Sequence, residues 1–529
     1  MTEIVATQTP PILKGPSEKE KKYDRQLRLW AASGQAALES ANILLFNTGT
    51  GTVGVETLKN LVLPGIGRFA IIDDAVVNEA DLGVNFFLDE ASLGKSRAQS
   101  CTELLLELNP EVQGNWFPKN QPLDLDEILS KVPVFTMILY TYPINPDHLK
   151  VLHDYGSKHL TPLFAVHSVG FYSYFRISLP GSFPVVDTHP DETATTDLRL
   201  LSPWPELKDF AREITKDIDT MDNHEHGHIP YLVILLHFLE KWKEAHGSYP
   251  TTYSEKTQFR KTVAAGARTD NAEGGEENFD EAVAAVVKSV VPPRLPSSLK
   301  EVFDHRSENS AGKKASFWII ADAVKAFYQK HGNLPLPGNV PDMKAQSKVY
   351  IQLQNIYKTK ARKDVAEVLK TVEQSPGGEH VDPEEVELFC KNAAFVKLIN
   401  AGSTNADHLA KITEAELAKD ETAEMAMMPF SLMPIYLVLF ATSHNPQASS
   451  EEILKTIGSI APGAERNERV VQASQEIARA GGGELHNTSA LTGGMVAQEM
   501  IKIITKQYIP VDNTCIFDGM TSRAQVLRL

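Results

Sequence analysis

The chain has 529 residues, 42% hydrophobic and 23% charged, and its 68 acidic against 52 basic residues give a formal net charge of −16. That length calls for at least two domains, and the acid excess argues against non-specific nucleic-acid binding. Three cysteines, Cys101, Cys390 and Cys515, with no C-x-x-C pair, exclude a disulfide framework and fit a reducing compartment.

Residues 1–20 carry Pro, Lys and Glu without a charged-then-apolar leader, and are expected to form a loose tail. Tyr23, Leu27 and Trp30 then recur at helical spacing, which leaves Arg25 and Arg28 together on another face beside Asp24. From the residues alone this is a solvated arginine pair. Ile43–Phe46 reads as a buried parallel strand, and Gly49, Gly51 and Gly54 form G-x-G-x-x-G at its end. Val53, Leu58, Leu61 and Val62 give the helix that follows, and Pro64-Gly65 stops it. Glycines here let backbone N–H groups approach a pyrophosphate at the positive end of the helix dipole. Phe69–Ile72 gives a second strand, closed by Asp73 at 73 − 54 = 19 residues past Gly54, where an acid accepts ribose hydroxyls. A Rossmann-like unit is expected.

Further on, Gln99–Leu108 reads as a helix holding Cys101 on its buried face, and Val134–Leu139 as a strand ending in Tyr140-Thr141-Tyr142. His224, His226 and His228 alternate but lack the further ligands a zinc site needs, so they read as a polar loop and no metal site is assigned. Two aromatic-rich helices follow, around 230–250 and 316–338, each ended by a His-Gly pair and a proline, with an acidic loop from Thr269 between them. Met425–Phe440 is the most apolar stretch; Pro429 and Pro434 break it and it is too short to span a bilayer, so it belongs in a core. All three cysteines sit among apolar neighbours and read as structural. A soluble chain of the cytoplasm or nucleus is expected.

Four ordered segments carry a resemblance: Arg25-Gln26-Leu27, Lys59-Asn60-Leu61-Val62-Leu63, Gly94-Lys95 running to Leu108-Asn109-Pro110, and Leu491 to Pro510. With them the chain resembles the adenylation domain of ubiquitin-like-protein activating enzymes. The resemblance implies an α/β fold, a discontinuous Rossmann-like adenylation domain from 21–170 and 484–529. It would be interrupted by a large, mainly helical insertion, 171–483, similar to a catalytic-cysteine half-domain. Departures from the family pattern point to an inactive half-site. The second acid is Ala75, the polar triphosphate-binding run is Ala80–Asn85 with Val84 in place of an arginine, and the magnesium-binding acid is missing at Tyr140-Thr141-Tyr142. Arg97 replaces a lysine, keeping charge but not shape.

The large insertion, with Asp197-Leu198-Arg199-Leu200, Ser316-Phe317-Trp318-Ile319 and Lys502–Gln507, is similar to the regulatory-subunit branch that serves the Nedd/Rub-type cullin modifier. This implies a heterodimer whose catalytic subunit holds ATP and magnesium, adenylates the modifier and passes its thioester to a conjugating enzyme. Arg25 would reach in trans to the partner-bound ATP. No cofactor is assigned to this chain; Gly49, Gly51, Gly54 and Asp73 form a nucleotide set or its remnant. Asp342, Met343, Tyr350, Leu353 and Asn355 are expected to contact the catalytic subunit, the other reading being an ordinary helix start capped near Asp342. No nucleic acid or membrane partner is expected. Two alternatives stay open: an autonomous dinucleotide enzyme, and a scaffold without nucleotide contact.

Overall fold

The computed structural model describes residues 15–119, 123–190, 197–269, 275–305, 315–400, 406–423 and 428–529. It forms two compact units, Met1–Phe183 with Ile399–Leu529, and Pro184–Leu398. Residues 1–14 of the expected tail lie outside the described residues; Glu18–Lys22 is helical, with a capping box between Ser17 and Glu20.

The strands, in chain order, are β1 Asn42–Phe46, β2 Arg68–Ile72, β3 Gln113–Phe117, β4 Met137–Thr141, β5 Leu163–Val169, β6 Tyr172–Ser178, β7 Ser182–Val186, β8 Val396–Asn400, β9 Thr514–Asp518 and β10 Arg523–Leu527. Eight of them make the first unit's sheet in the order β10-β9-β6-β5-β4-β1-β2-β3. β3, β2, β1, β4 and β5 run parallel, and β6, β9 and β10 continue the sheet in antiparallel pairs. Four of five residues of β1 and all of β4 and β5 are buried, as continuous apolar runs covered on both faces require. Chain order reverses between β1 and β4, which is where an open α/β sheet forms its ligand crevice. The glycine loop leaves β1 at that point.

Helices Thr52–Val62, Arg97–Leu108 and His486–Thr505 cover one face, and Leu45, Leu58, Leu105, Val496 and Met500 share its core. A Cβ on Gly493 would meet Glu56 Cβ and the Thr57 nitrogen at 2.9 Å, so this glycine lets helix His486–Thr505 lie directly against helix Thr52–Val62. On the other face, helices Leu125–Lys131 and Pro146–His159 bury Leu129, Leu152 and Tyr155 against Leu44 and Ile138.

This unit is larger than the sequence boundaries allow. Gly170, at φ +55°, turns the chain so that β6 pairs back on β5, and the sheet continues past residue 170. The helices from Ala406 to Ala480 also belong to the first unit: Met433–Ala441 buries Tyr436 and Leu437 in a core with Val169, Tyr174 and Ile516. Of the apolar 425–440 stretch, residues 432–439 lie in that core, whereas Met428 and Phe430 are exposed and 425–427 fall outside the described residues. The inserted unit spans Pro184–Leu398 rather than 171–483.

Among the described residues of that second unit the regular elements are helices apart from β7 and β8, which pair with each other where the chain leaves and returns. Helices Tyr231–His246 and Ser316–His331 end on Gly247 and Gly332, both left-handed at φ +78° and +68°, as the His-Gly pairs predict. The acidic segment from Thr269 differs from expectation. Residues 270–274 lie outside the described ones, but Glu277–Ser289 is a helix that buries Phe279, Ala282 and Val286 at helical spacing. Glu276 is buried too, held by His226 Nδ1 at 2.7 Å and the Arg268 N–H at 2.7 Å.

Candidate functional site

The glycine loop has the geometry its motif predicts, with Gly49 and Gly51 at φ +62° and +66° and a helix opening at Thr52. What approaches its backbone, however, is the side chain of Asn47. A Cβ on Gly51 would lie 2.2 Å from Asn47 Nδ2, and one on Gly54 would lie 2.6 Å from Asn47 Oδ1. Asn47 is buried and donates from Nδ2 to Asp73 Oδ2 at 2.9 Å.

Asp73 ends β2 as expected, but both of its oxygens are engaged. Arg97, near the start of its helix behind the Ser96 cap, grips Asp73 through Nε to Oδ2 at 2.7 Å and Nη2 to Oδ1 at 3.1 Å. Its Nη1 donates to Asp81 Oδ1 at 3.1 Å and to the Thr50 carbonyl in the glycine loop at 3.2 Å. The guanidinium is 3% exposed, and the two carboxylates 1% and 4%. Burial pulls the guanidinium toward its neutral form, and the charges of Asp73 and Asp81 outweigh that, so its proton is held more tightly than usual. A lysine could not make this forked contact. Arg97 thus closes the ribose acid instead of neutralising a phosphate.

The helix N-terminus is also taken. The Glu484 carboxylate accepts from the Val53 N–H at 2.8 Å and from Ser489 Oγ at 2.5 Å. Burial raises its pKa from 4.5 to about 7, against the pull of those donors. A side-chain carboxyl therefore occupies the place that a nucleotide phosphate takes at the head of a Rossmann helix. Around it, Ala75 offers no acid, the Val84 carbonyl lies 2.9 Å from His486 Nδ1, and β4 ends in buried Tyr140 and Thr141. Gly49, Gly51, Gly54 and Asp73 are brought together as the motif predicts, and Glu484 takes up the helix N-terminus, Arg97 the Asp73 carboxylate and Asn47 the approach to the loop backbone. Sequence reasoning missed Glu484 and Asn47. Glu484 lies 431 residues from Val53 with no local pattern to link them, and the exchange of lysine for Arg97 was the one signal.

The other predicted residues separate clearly. Arg28 pairs with Asp24 at 3.0 Å, while Arg25 is exposed and makes no hydrogen bond or ion pair among the described residues. Its helix, Asp24–Ser40, kinks at Trp30 and at Ala31 with φ +56°, and Trp30 folds in to donate from Nε1 to Gln35 at 3.1 Å. Leu27 is half-buried, so the expected apolar stripe is carried by Tyr23 and Trp30. In the 342–355 segment, Leu353 is fully buried and Met343 is 9% exposed, both in the second unit's own core. That corrects their assignment as partner contacts: a side chain committed to the core cannot also present itself. Asp342 and Asn355 are exposed and Tyr350 half-buried.

His224 and His228 stack on each other at 4.3 Å around a short helix, Asn223–His226, while His226 turns inward to Glu276. No group of three potential ligands gathers among the described residues. Burial pushes the thiols of Cys101 and Cys390 up to about 12 and that of Cys515 to about 11, so none is a ready nucleophile. No described helix is long and apolar enough to cross a membrane.

Comparison with known proteins decides the family. The ThiF family model matches residues 23–529. A Xenopus laevis protein, "NEDD8-activating enzyme E1 regulatory subunit", is 37% identical over 540 residues, covering 97% of this chain and 99% of its own. The chain belongs to the ThiF family, among the NEDD8-activating enzyme E1 regulatory subunits. Its Danio rerio relative of the same name is 37% identical over 97% of this chain and 99% of that one. "NEDD8-activating enzyme E1 regulatory subunit AXR1" of Arabidopsis thaliana is 33% identical over 97% of each. The ThiF assignment agrees with the parallel sheet, the glycine loop and the helical insertion, and disfavours the autonomous dinucleotide enzyme.

Proposed function

We propose that this chain is the regulatory subunit of a heterodimeric NEDD8-activating enzyme and lends one charged group to a reaction carried out by its partner. The catalytic subunit binds ATP and magnesium. The modifier's C-terminal carboxylate attacks the α-phosphorus, pyrophosphate leaves, and the adenylate is then captured as a thioester on the partner's cysteine and passed to a conjugating enzyme. This chain binds no nucleotide of its own, since Glu484 and Arg97 fill the place where one would sit. Its part is to support the partner's fold and to present Arg25.

Arg25 carries the reading. On one turn of helix it is exposed and unpaired, while neighbouring Arg28 is held by Asp24. An unpaired guanidinium on an ordered helix suits a contact completed across an interface with anionic phosphates. The test is ATP–pyrophosphate exchange by the reconstituted heterodimer with Arg25→Ala or Arg28→Ala. The expected outcome is a fall of about 10³-fold for Arg25→Ala, little change for Arg28→Ala, and an unaltered heterodimer by size-exclusion chromatography. Unchanged exchange in Arg25→Ala would overturn the assignment and favour a scaffold.

A further inference from the structure

A cavity of about 620 Å³ lies within the second unit, between the loop after helix Glu277–Ser289, the loop Asn333–Asn339 and the end of helix Pro383–Lys391. Its charge runs against that of the chain. Arg199, Lys288, Arg294 and Lys391 line it, with Asp197 the one acid among the described lining residues, on a protein of net charge −16.

These cations are not equivalent. Arg199 is 8% exposed and belongs to the floor: its Nη2 donates to Asp197 Oδ2 at 3.0 Å and to the Leu334 carbonyl at 2.6 Å, and its Nε is buried without a partner. It consumes the one acid. Lys288, Arg294 and Lys391 are exposed and make no hydrogen bond or ion pair among the described residues. Other surface cations of this unit, such as Lys330 with Glu367 at 2.6 Å, Lys363 with Glu206 at 2.9 Å and Arg212 with Glu240 at 2.5 Å, do have acidic partners. Three unanswered cations around one concavity create a local positive potential that an anionic ligand would relieve.

The walls decide which anion. Pro190, Pro292, Pro293, Pro296, Pro335 and Pro337 line the cavity. Proline offers an apolar ring and a carbonyl but no N–H, so these six residues contribute none of the backbone donors that cradle a bare phosphate. Val291 and Tyr328 extend the apolar surface. Cations beside an apolar, acceptor-bearing wall match a chain that alternates carboxylates with apolar side chains. We propose that this cavity binds an extended, acidic segment of a partner protein, its carboxylates meeting Lys288, Arg294 and Lys391 and its apolar side chains packing on the proline walls.

Fluorescence anisotropy on the full chain tests this directly. The probe is a fluorescein-labelled dodecapeptide alternating Glu with Leu and Phe; the same peptide with Lys for Glu is the control, and inorganic pyrophosphate is the competitor. Saturable binding of the acidic peptide alone is expected, weakened at least tenfold or so in Lys288→Glu/Arg294→Glu/Lys391→Glu and weakened by added salt. All three positions are exposed, and an unchanged thermal midpoint verifies that the variant is folded. Absence of saturable binding, equal binding by the variant, or equal binding of the Lys peptide would overturn the proposal. Full displacement by pyrophosphate at the peptide's own concentration would also overturn it, in favour of a small-anion site. No ATP or catalytic subunit is present, so the outcome is separate from that of the Arg25 exchange assay.

Discussion

Replacing Glu484 with Gln isolates the energetics of the filled nucleotide position. Gln keeps an oxygen for the Val53 N–H and Ser489 Oγ but cannot ionise. In the unfolded chain the Glu484 carboxyl titrates near 4.5, and in the folded protein burial moves it to about 7. Between those values the native state holds a proton that the unfolded chain has released, so stability falls as pH rises, and the full penalty applies above pH 7. The 2.5-unit difference, from 4.5 to about 7, corresponds to about 3 kcal/mol at 1.36 kcal/mol per unit. Thermal melts of wild type and Glu484→Gln across pH 5 to 8.5 should therefore coincide near the acid end and separate toward neutrality. At the alkaline end the variant should gain about 3 kcal/mol, or roughly 6 °C in Tm for a unit of this size. A gap that does not change with pH, or a variant less stable than wild type at pH 8, would refute the argument that an ionisable carboxyl is buried at the head of this helix.

Arg97→Ala leaves Asp73 and Asp81 buried without their shared cation and should cost about 3–5 kcal/mol in urea unfolding, with Arg97→Lys intermediate because it keeps charge but loses the fork. Equal stability of Arg97→Ala and wild type would mean that water already solvates the two acids. Gly493→Ala should cost about 1–3 kcal/mol in the same assay, since the added methyl meets the Thr57 nitrogen at 2.9 Å and forces the two helices apart. Gly494→Ala, with open space at its Cβ, should cost nothing and serves as the paired control.

The parts of this fold written in short-range patterns were legible. β1, β2 and the helix between them follow from an apolar run, three glycines and a Pro-Gly stop within about thirty residues, and their edges moved by a single residue. The helix predicted at Gln99 begins at Arg97, and the strand predicted at Val134–Leu139 runs Met137–Thr141. Long-range placement was less legible. Helices Ser450–Ile460 and Glu468–Ala480 are amphipathic like those of 205–391, so nothing local tells them apart; the wholly apolar Met433–Ala441 signals a core without saying which, and what places it is that Tyr436 and Leu437 meet Tyr174 and Ile516 in the first unit. Leu353 misled for the same reason, since an apolar residue at helical spacing reads alike whether its face meets a core or a partner. In the candidate site, every residue of the motif was visible, and of the three side chains that fill it only Arg97 was. Asn47 is an unremarked polar residue at a strand end, and Glu484 is distant in sequence.

Asn47 also changes what the glycine signature means. At Gly51 and Gly54 a side chain is forbidden by a neighbour belonging to the chain itself, so a mutation at either position would be rejected on folding grounds before any ligand was involved. A motif of this kind records how closely something must approach the backbone, and is silent about what approaches. A loop kept bare by glycine admits an amide as readily as a phosphate. In this chain the sign that the loop is already occupied is the buried Glu484 carboxyl at the head of the helix.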